Sequence, residues 1–268
     1  DVRALGFGGS ATLHLLTEVM RRAYADRSKW LGDPDHYAVP VEGLLGKQYA
    51  ATRRASIDLQ KKSEVAPGVP PGAKESDDTT HFSVVDKDGN AVSCTTTINS
   101  TFGACVVVDG AGFLLNNEMD DFSAKPGVPN QFGLVGGKAN AIAPGKRMLS
   151  SSTPTFVEGP RGLMIAGSPG GSYITSMALL ATLDFLDGKS AAQIVAAPRI
   201  HHQYLPDVLQ YEPGALGAAE IAALGKLGYR LRESTRRWGN MQVVTWDYAS
   251  GRVEAASDPR GEGEGQVY

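Results

Sequence analysis

The sequence predicts an α+β fold in which helices cover antiparallel sheets, on three observations. Residues 10–30 carry apolar side chains at helical spacing, and residues 81–98 read as two strands joined by a tight turn. The later helices and strands come in runs rather than in a βαβ alternation. With 268 residues and 42% hydrophobic side chains, the chain can form one large domain or two small ones around a sizeable core.

Leu13, Leu16, Met20 and Tyr24 recur three and four apart over residues 10–30, with Arg21, Arg22 and Asp26 among the polar positions and Ser10 as the expected N-cap. The segment LGDPD, 31–35, ends this helix with turn residues, and a second helix is expected over 43–59. Residues 63–78, SEVAPGVPPGAKESDD, are polar and rich in Pro and Gly; they read as an exposed linker and the best place for a cut. His81, Ser83 and Val85 then alternate with Phe82, Val84 and Asp86, DKDGN at 86–90 turns the chain, and 91–98 returns as a strand rich in Thr and Val. Two further strands are expected over 105–108 and 112–115, around the turn DGAG. Residues 116–146 form a long irregular stretch, and loops of that length are functional or disordered. Strands resume near Thr155 and Leu163; helices are expected over 173–186, 191–197 and 218–227, and final strands over 241–247 and 252–255.

A formal charge of -3 and a pI near 6.0 give no sign of a nucleic-acid partner. No run of 18 apolar residues suggests a membrane span. The opening DVRALGFGGS has neither an initiator Met nor the apolar centre of a signal peptide and leads straight into a helix, so upstream sequence is expected. The two cysteines, Cys94 and Cys105, make neither a metal-ligand pattern nor a disulfide framework. They read as buried free thiols, with a disulfide left open if they lie on adjacent strands.

Several common sites are absent from the sequence: HExxH, the Walker A loop, and G-x-S-x-G, since Ala166 precedes Gly167-Ser168. His201 and His202 are adjacent, do not share a face, and read as structural. Four segments remain. Thr79 stands where the linker meets the first strand; its hydroxyl becomes a competent nucleophile if the bond before it is cut, because the freed α-amino group, with a pKa of about 7.7–8.0, is then an adjacent base. Otherwise Thr79 merely begins a strand. Gly167–Gly171, GSPGG, leads into a helix and offers accessible backbone N–H groups for an oxyanion, or is an ordinary strand-to-helix turn. Residues 116–121, NNEMDD, carry three carboxylates in four positions, suited to a substrate ammonium or a cation, or form a solvated acidic loop. Ser150-Ser151-Ser152-Thr153 offers hydroxyls to a carboxylate, or simply turns.

Taken in order, DTTHFSVVDKDGNAVS, TTTINSTFG, FLLNNEMDDFSAKPG, LSSSTP and GSPGG resemble the γ-glutamyltranspeptidase (glutathione hydrolase) family of N-terminal-nucleophile hydrolases. YADRSKWLGDPD near the start resembles the end of that family's large subunit, and APRIHHQYLPD and ASDPR resemble parts of its small subunit. The resemblance implies a four-layer αββα fold and a precursor that cuts itself between Asp78 and Thr79. Residues 1–78 would then end the large subunit in a flexible linker, and 79–268 would be the small subunit, both within one structural domain. Thr79 would attack the γ-carbonyl of glutathione or a related donor. Thr97 would support its amine, Gly170 and Gly171 would form the oxyanion hole, Asn99, Glu118 and Asp121 would hold the substrate α-amino group, and Ser150 and Ser151 its α-carboxylate. Water or an amino acid would accept the γ-glutamyl group, and no metal or organic cofactor is implied. Residues 130–140 resemble a lid loop, and the family favours a periplasmic or secreted location. The family's carboxylate-binding arginine matches no residue of 1–268 and belongs to an upstream large-subunit segment. A β-lactam acylase acting on glutaryl or cephalosporin substrates and an inert scaffold fragment are the alternatives.

Overall fold

The computed structural model describes residues 2–6, 8–70 and 81–268. Helices α1 (Val2–Leu5), α2 (Ser10–Trp30), α3 (Val41–Leu45) and α4 (Lys47–Ala55) come first, followed by the hairpin β1 (His81–Val85) and β2 (Ala91–Thr95). Strands β3 (Thr155–Gly159) and β4 (Gly162–Gly167) lead to helices α5 (Ile174–Leu186) and α6 (Ala191–Ala196). The remainder is β5 (Ile200–His201), β6 (Leu209–Tyr211), α7 (Ala218–Lys226), β7 (Leu231–Glu233), β8 (Gln242–Asp247) and β9 (Val253–Ser257). The described residues divide into two compact units, one drawn from 1–76, 118–149 and 200–235, the other from 77–117, 150–199 and 236–268.

In the first unit α2 buries Leu13, Leu16, Met20 and Tyr24, as its periodicity predicts. Gly9, not Ser10, occupies the capping position: its extended backbone turns the chain into the helix, its carbonyl accepts the Leu13 N–H, and Ser10 is already helical. The polar positions Arg21, Arg22 and Asp26 are also buried, because each has partners beyond the helix. Glu18, with 0% exposure, accepts hydrogen bonds from Arg21 (2.7 Å), Arg22 (2.6 Å) and the Tyr229 hydroxyl (2.5 Å). Burial alone would raise its pKa, but these hydrogen bonds bring it down to about 2. The helix expected over 43–59 is two helices, broken where Gly46 adopts an extended conformation. The linker is described only as far as Pro70, and there α2 and α4 hold its backbone: Arg21 donates to Ser63 O, Arg53 to Ala66 O, and Trp30 Nε1 to Gly68 O.

Short strands β5, β6 and β7 form a three-stranded sheet that the sequence reading lacks, and its β6–β7 pair is parallel. His201 and His202 are structural here. Both are fully buried, with Nε2 of His201 2.9 Å from Gln203 Oε1 and Nε2 of His202 3.1 Å from Asp207 Oδ1.

The second unit is built on the antiparallel sheet β3-β4-β8-β9. Every residue of β4 is buried, so both faces of this strand are covered. Met164 and Ala166 join a core with Ile174, Met177, Ala181 and Phe185 of α5 and Ile194 and Val195 of α6. Alternation sends Gly167 to the other face, where it meets His81 of the β1–β2 hairpin. The unit is therefore layered as helices, sheet and hairpin. Strand β2 stops at Thr95 rather than running to 98. The strands expected over 105–108 and 112–115 reduce to a single bridge, Val107 to Leu114: Cys105 (φ 57) and Gly103 (φ 52) take left-handed conformations that break a regular ladder. Both cysteines are free, but Cys94 is only half-buried and Cys105 is exposed, so the expectation of buried thiols fails for this irregular turn.

Candidate active site

Strand directions gather several of the predicted segments at one end of the second unit. His81 opens β1 and pairs with Thr95, the last residue of β2, so Thr97 and Asn99 leave the hairpin where β1 begins. Thr155 opens β3 opposite Ala166, so Ser150 and Ser151 enter the sheet beside the end of β4. Gly167 ends β4 opposite Gln242, the first residue of β8. Thr79 and Asp78 lie outside the described residues.

After β2, the Asn99 N–H donates to Thr97 Oγ1 over 2.7 Å. That bond uses the hydroxyl as an acceptor and leaves its proton to be donated. Asn99 itself sits at φ 71, a region Asn tolerates better than most side chains. Its Nδ2 donates to Asn117 O (3.2 Å), while the Asn117 carboxamide accepts from Ser100 N (2.9 Å) and donates to Ser100 Oγ (3.0 Å). Asn117 thus locks the turn that carries Thr97 and Asn99. The sequence reading weighed the carboxylates of NNEMDD and missed this amide.

At the end of β4, Gly170 (φ 145) and Gly171 (φ 55) both take conformations that disfavour a side chain, and a Cβ on Gly170 would lie 2.8 Å from Met177 Cε. The turn opens onto the N-terminal end of α5, a 13-residue helix whose dipole favours negative charge there. Buried Ser168 braces it: Oγ donates to Pro169 O (2.8 Å) and accepts from Asn240 N (3.2 Å). Asp258 fixes the facing segment, accepting from Arg199 Nη2 (2.6 Å), Met241 N (3.0 Å) and Arg260 Nη1 (3.0 Å), while Arg199 also donates to Trp238 O. Burial pushes the Asp258 carboxyl up, but the neighbouring guanidinium and these hydrogen bonds leave it below the ordinary carboxylate range.

His81 is a further residue that the sequence reading passed over. Its Nδ1 lies 3.0 Å from Thr95 Oγ1 and its Nε2 2.8 Å from Ser83 Oγ. Burial lowers its pKa to about 4, so the ring is neutral at physiological pH. Ser150 is buried and its Oγ accepts from Ser152 N (3.2 Å); Thr153 Oγ1 donates to Ser151 O (2.8 Å).

Glu118 and Asp121 belong to the first unit, at the two ends of one 3-10 turn, and Glu118 is buried. The 116–146 stretch that follows is ordered by amides rather than by strands. Asn130 Oδ1 accepts from Phe132 N and Leu134 N, its Nδ2 lies 3.5 Å from Asp121 Oδ1, and Gln131 N donates to Asp120 Oδ2. Among the described residues, no group of three or more His, Cys, Asp or Glu side chains is placed to hold a metal ion.

The family model for gamma-glutamyltranspeptidase matches residues 1–268. The chain belongs to the gamma-glutamyltranspeptidase family. The glutathione hydrolase proenzyme of Escherichia coli (strain K12) is 44% identical over 265 residues, which is 97% of this chain and 45% of that protein. The solved gamma-glutamyltranspeptidase from Pseudomonas nitroreducens complexed with L-DON is 48% identical with a TM-score of 0.65, covering 71% of this chain and 100% of that one. The acylase ACY 1 proenzyme of Pseudomonas sp. (strain SE83) is 37% identical over 266 residues, 98% of this chain and 45% of its own length. The chain therefore spans about half the length of the curated relatives it matches. Membership accounts for the α+β fold of antiparallel sheets covered by helices, the expected αββα class of N-terminal-nucleophile hydrolases. In this gamma-glutamyltranspeptidase-family chain, no described helix is long and apolar enough to cross a membrane.

Proposed function

We propose that the full-length protein transfers γ-glutamyl groups from glutathione-like donors to water or amino acids, after cutting itself between Asp78 and Thr79. The observation that carries this reading is the gathering, at one end of the second unit, of the start of β1, the Thr97 turn, the Ser150-Ser151 entry to β3 and the Gly170-Gly171 turn after β4. Thr79 is the nucleophile, and its freed amine the base. Thr97 supports that amine. The N–H groups of Gly170 and Gly171 stabilise the oxyanion, a contribution worth about 3–4 kcal/mol per donor in well-studied hydrolases. Asn99, Glu118 and Asp121 take the substrate ammonium, and Ser150 and Ser151 its carboxylate. Residues 1–78 end the large subunit and 79–268 form the small one. An upstream segment supplies the cation for the carboxylate, and the mature protein works in the periplasm or outside the cell.

Intact-mass analysis and N-terminal sequencing of the purified protein test this. The expected fragment begins at Thr79, forms without added protease, and is lost in Thr79→Ala. A single uncut species under native conditions would overturn the reading in favour of an inert fragment. The 37% identity to an acylase supports a second reading in which the acyl group lacks the α-amino function. Preference for a glutaryl over a γ-glutamyl amide would select it.

A further inference from the structure

The second unit holds a polar cavity at the end of its sheet away from the glycine turn. Strand β4 ends at Gly167 opposite Gln242 and begins at Gly162 opposite Asp247. A cavity of about 260 Å³ lies at that beginning, lined by the sheet and by the turn that joins α5 to α6. A space of this size is smaller than a drug-sized pocket and suits a small metabolite. Thr245 lines it. This residue pairs with Met164 on β4 and Glu254 on β9, is 6% exposed, and makes no side-chain hydrogen bond among the described residues. A hydroxyl in that position has lost water without gaining a partner, a deficit that a polar ligand removes. Arg161 is held in the lining by neutral groups: Nη1 donates to Phe185 O, Nη2 to Lys189 O (2.8 Å), and the guanidinium lies 4.5 Å from the centre of the Phe185 ring. Asp247 is also held by neutral groups, its Oδ1 accepting from Ser250 N (2.8 Å) and the Ser250 hydroxyl (2.7 Å). The Ser250 bonds and, at longer range, the Arg161 charge hold the Asp247 carboxyl below the ordinary carboxylate range. Among the described residues, neither Arg161 nor Asp247 forms an ion pair, with the other or with any third side chain. The neighbouring charges cancel: Arg252 Nη2 lies 2.9 Å from Glu254 Oε1, and Glu254 Oε2 accepts from Ala191 N (2.9 Å). Gln193 commits Oε1 to Ser190 N (2.9 Å), which leaves its amide N–H groups to donate.

We propose that this cavity binds a small zwitterion of the free α-amino acid class, with its carboxylate on Arg161, the Gln193 amide and the Thr245 hydroxyl, and its ammonium on Asp247. A simple anion would bring its charge against Asp247, and a simple cation against Arg161; a molecule carrying both charges meets a partner for each. The cavity lies at the opposite end of β4 from the Gly170-Gly171 turn, so the inference goes beyond the γ-glutamyl reading and does not rest on it.

The test is calorimetric titration of the full-length protein, and of its Thr245→Val and Asp247→Asn variants, with glycine, acetate and methylammonium. Glycine should bind the parent about tenfold more tightly than either half-molecule. Thr245→Val keeps the side-chain shape and removes a hydrogen bond to a charged group, so the Kd for glycine should rise about tenfold. Asp247→Asn should also raise the Kd for glycine about tenfold while lowering that for acetate, because the repelling carboxylate is gone. A merely structural role for Asp247 would weaken both ligands together. If Asp247→Asn does not fold, Thr245→Val decides. No glycine binding to the parent at millimolar concentrations, or acetate binding as tightly as glycine, would overturn the proposal. So would a glycine affinity unchanged in either folded variant, which would place the bound glycine elsewhere, the catalytic end included. None of these outcomes bears on the γ-glutamyl activity.

Discussion

Gly167 is predicted to tolerate no side chain while His81 is present. A Cβ built there lies 2.1 Å from His81 Nδ1, 2.4 Å from Cγ and 2.5 Å from Cε1, where ordinary contact begins at 3.4 Å. The ring would have to withdraw by more than an ångström, yet it is held at both nitrogens, by Thr95 and by Ser83. Overpacking of this kind costs about 1–3 kcal/mol, and losing one neutral hydrogen bond adds about 1 kcal/mol. Gly167→Ala should therefore destabilise the protein by about 3 kcal/mol, a fall in Tm of roughly 6–12 °C for a chain of this size. His81→Ala should also be destabilising, because it empties a packed site. The ring, however, is what the new methyl group collides with. Scanning calorimetry on both single variants and the double variant should find the double more stable than the sum of the singles predicts, by about 1–3 kcal/mol. Strict additivity, within about 0.5 kcal/mol, would refute direct packing of the β1 imidazole on the end of β4, and with it the placing of β1's start beside the Gly170-Gly171 turn.

Three further outcomes follow from the same structure. Arg199→Met leaves Asp258 buried with one guanidinium fewer, and should cost about 3–5 kcal/mol in denaturant unfolding; a loss below about 1 kcal/mol would mean that Arg260 suffices alone. Ser190 closes a capping box with Gln193 at the start of α6, so Ser190→Ala should cost about 1 kcal/mol in the same assay, and no change would dismiss the cap. Burial holds His81 and His201 neutral, with pKa values lowered from 6.5 to about 4, so the unfolded chain protonates first on acidification. Their contribution is complete above about pH 6.5 and is lost as pH falls from there to about 4, about 3 kcal/mol for His201 alone; stability that stays level between pH 7 and pH 5 would contradict it.

What could be read from the chain was local. The helix over 10–30 followed from Leu13, Leu16, Met20 and Tyr24, and the hairpin from an alternation closed by DKDGN, because each pattern is complete within a short window. The strands of the β5-β6-β7 sheet escaped notice: β5 and β6 are two and three residues long, and β6 pairs in parallel with a strand beyond an intervening helix, so no short window holds the pattern. The burial of the polar positions of α2 is not legible in the sequence for a related reason. Nothing near Glu18 in sequence announces that Tyr229 will reach it, yet that hydroxyl and two arginines let a carboxylate be fully buried.

The candidate site divides along the same line. Its hydroxyls, carboxylates and glycines are chemically distinctive and stood out from the sequence in order. The amides that hold the neighbouring loop backbone did not, because Asn117 and Asn130 look like any turn-forming residue until their partners are known. What brings the pieces of the second unit together is strand direction. Antiparallel pairing requires that a chain entering at His81 leave beside it at Thr95. It also requires that β3, entering after Ser150-Ser151, do so where β4 departs into the glycine turn. Given those pairings and the approach of Gly167 to His81, the start of β1 and the segments after β2, before β3 and after β4 share one end of the unit.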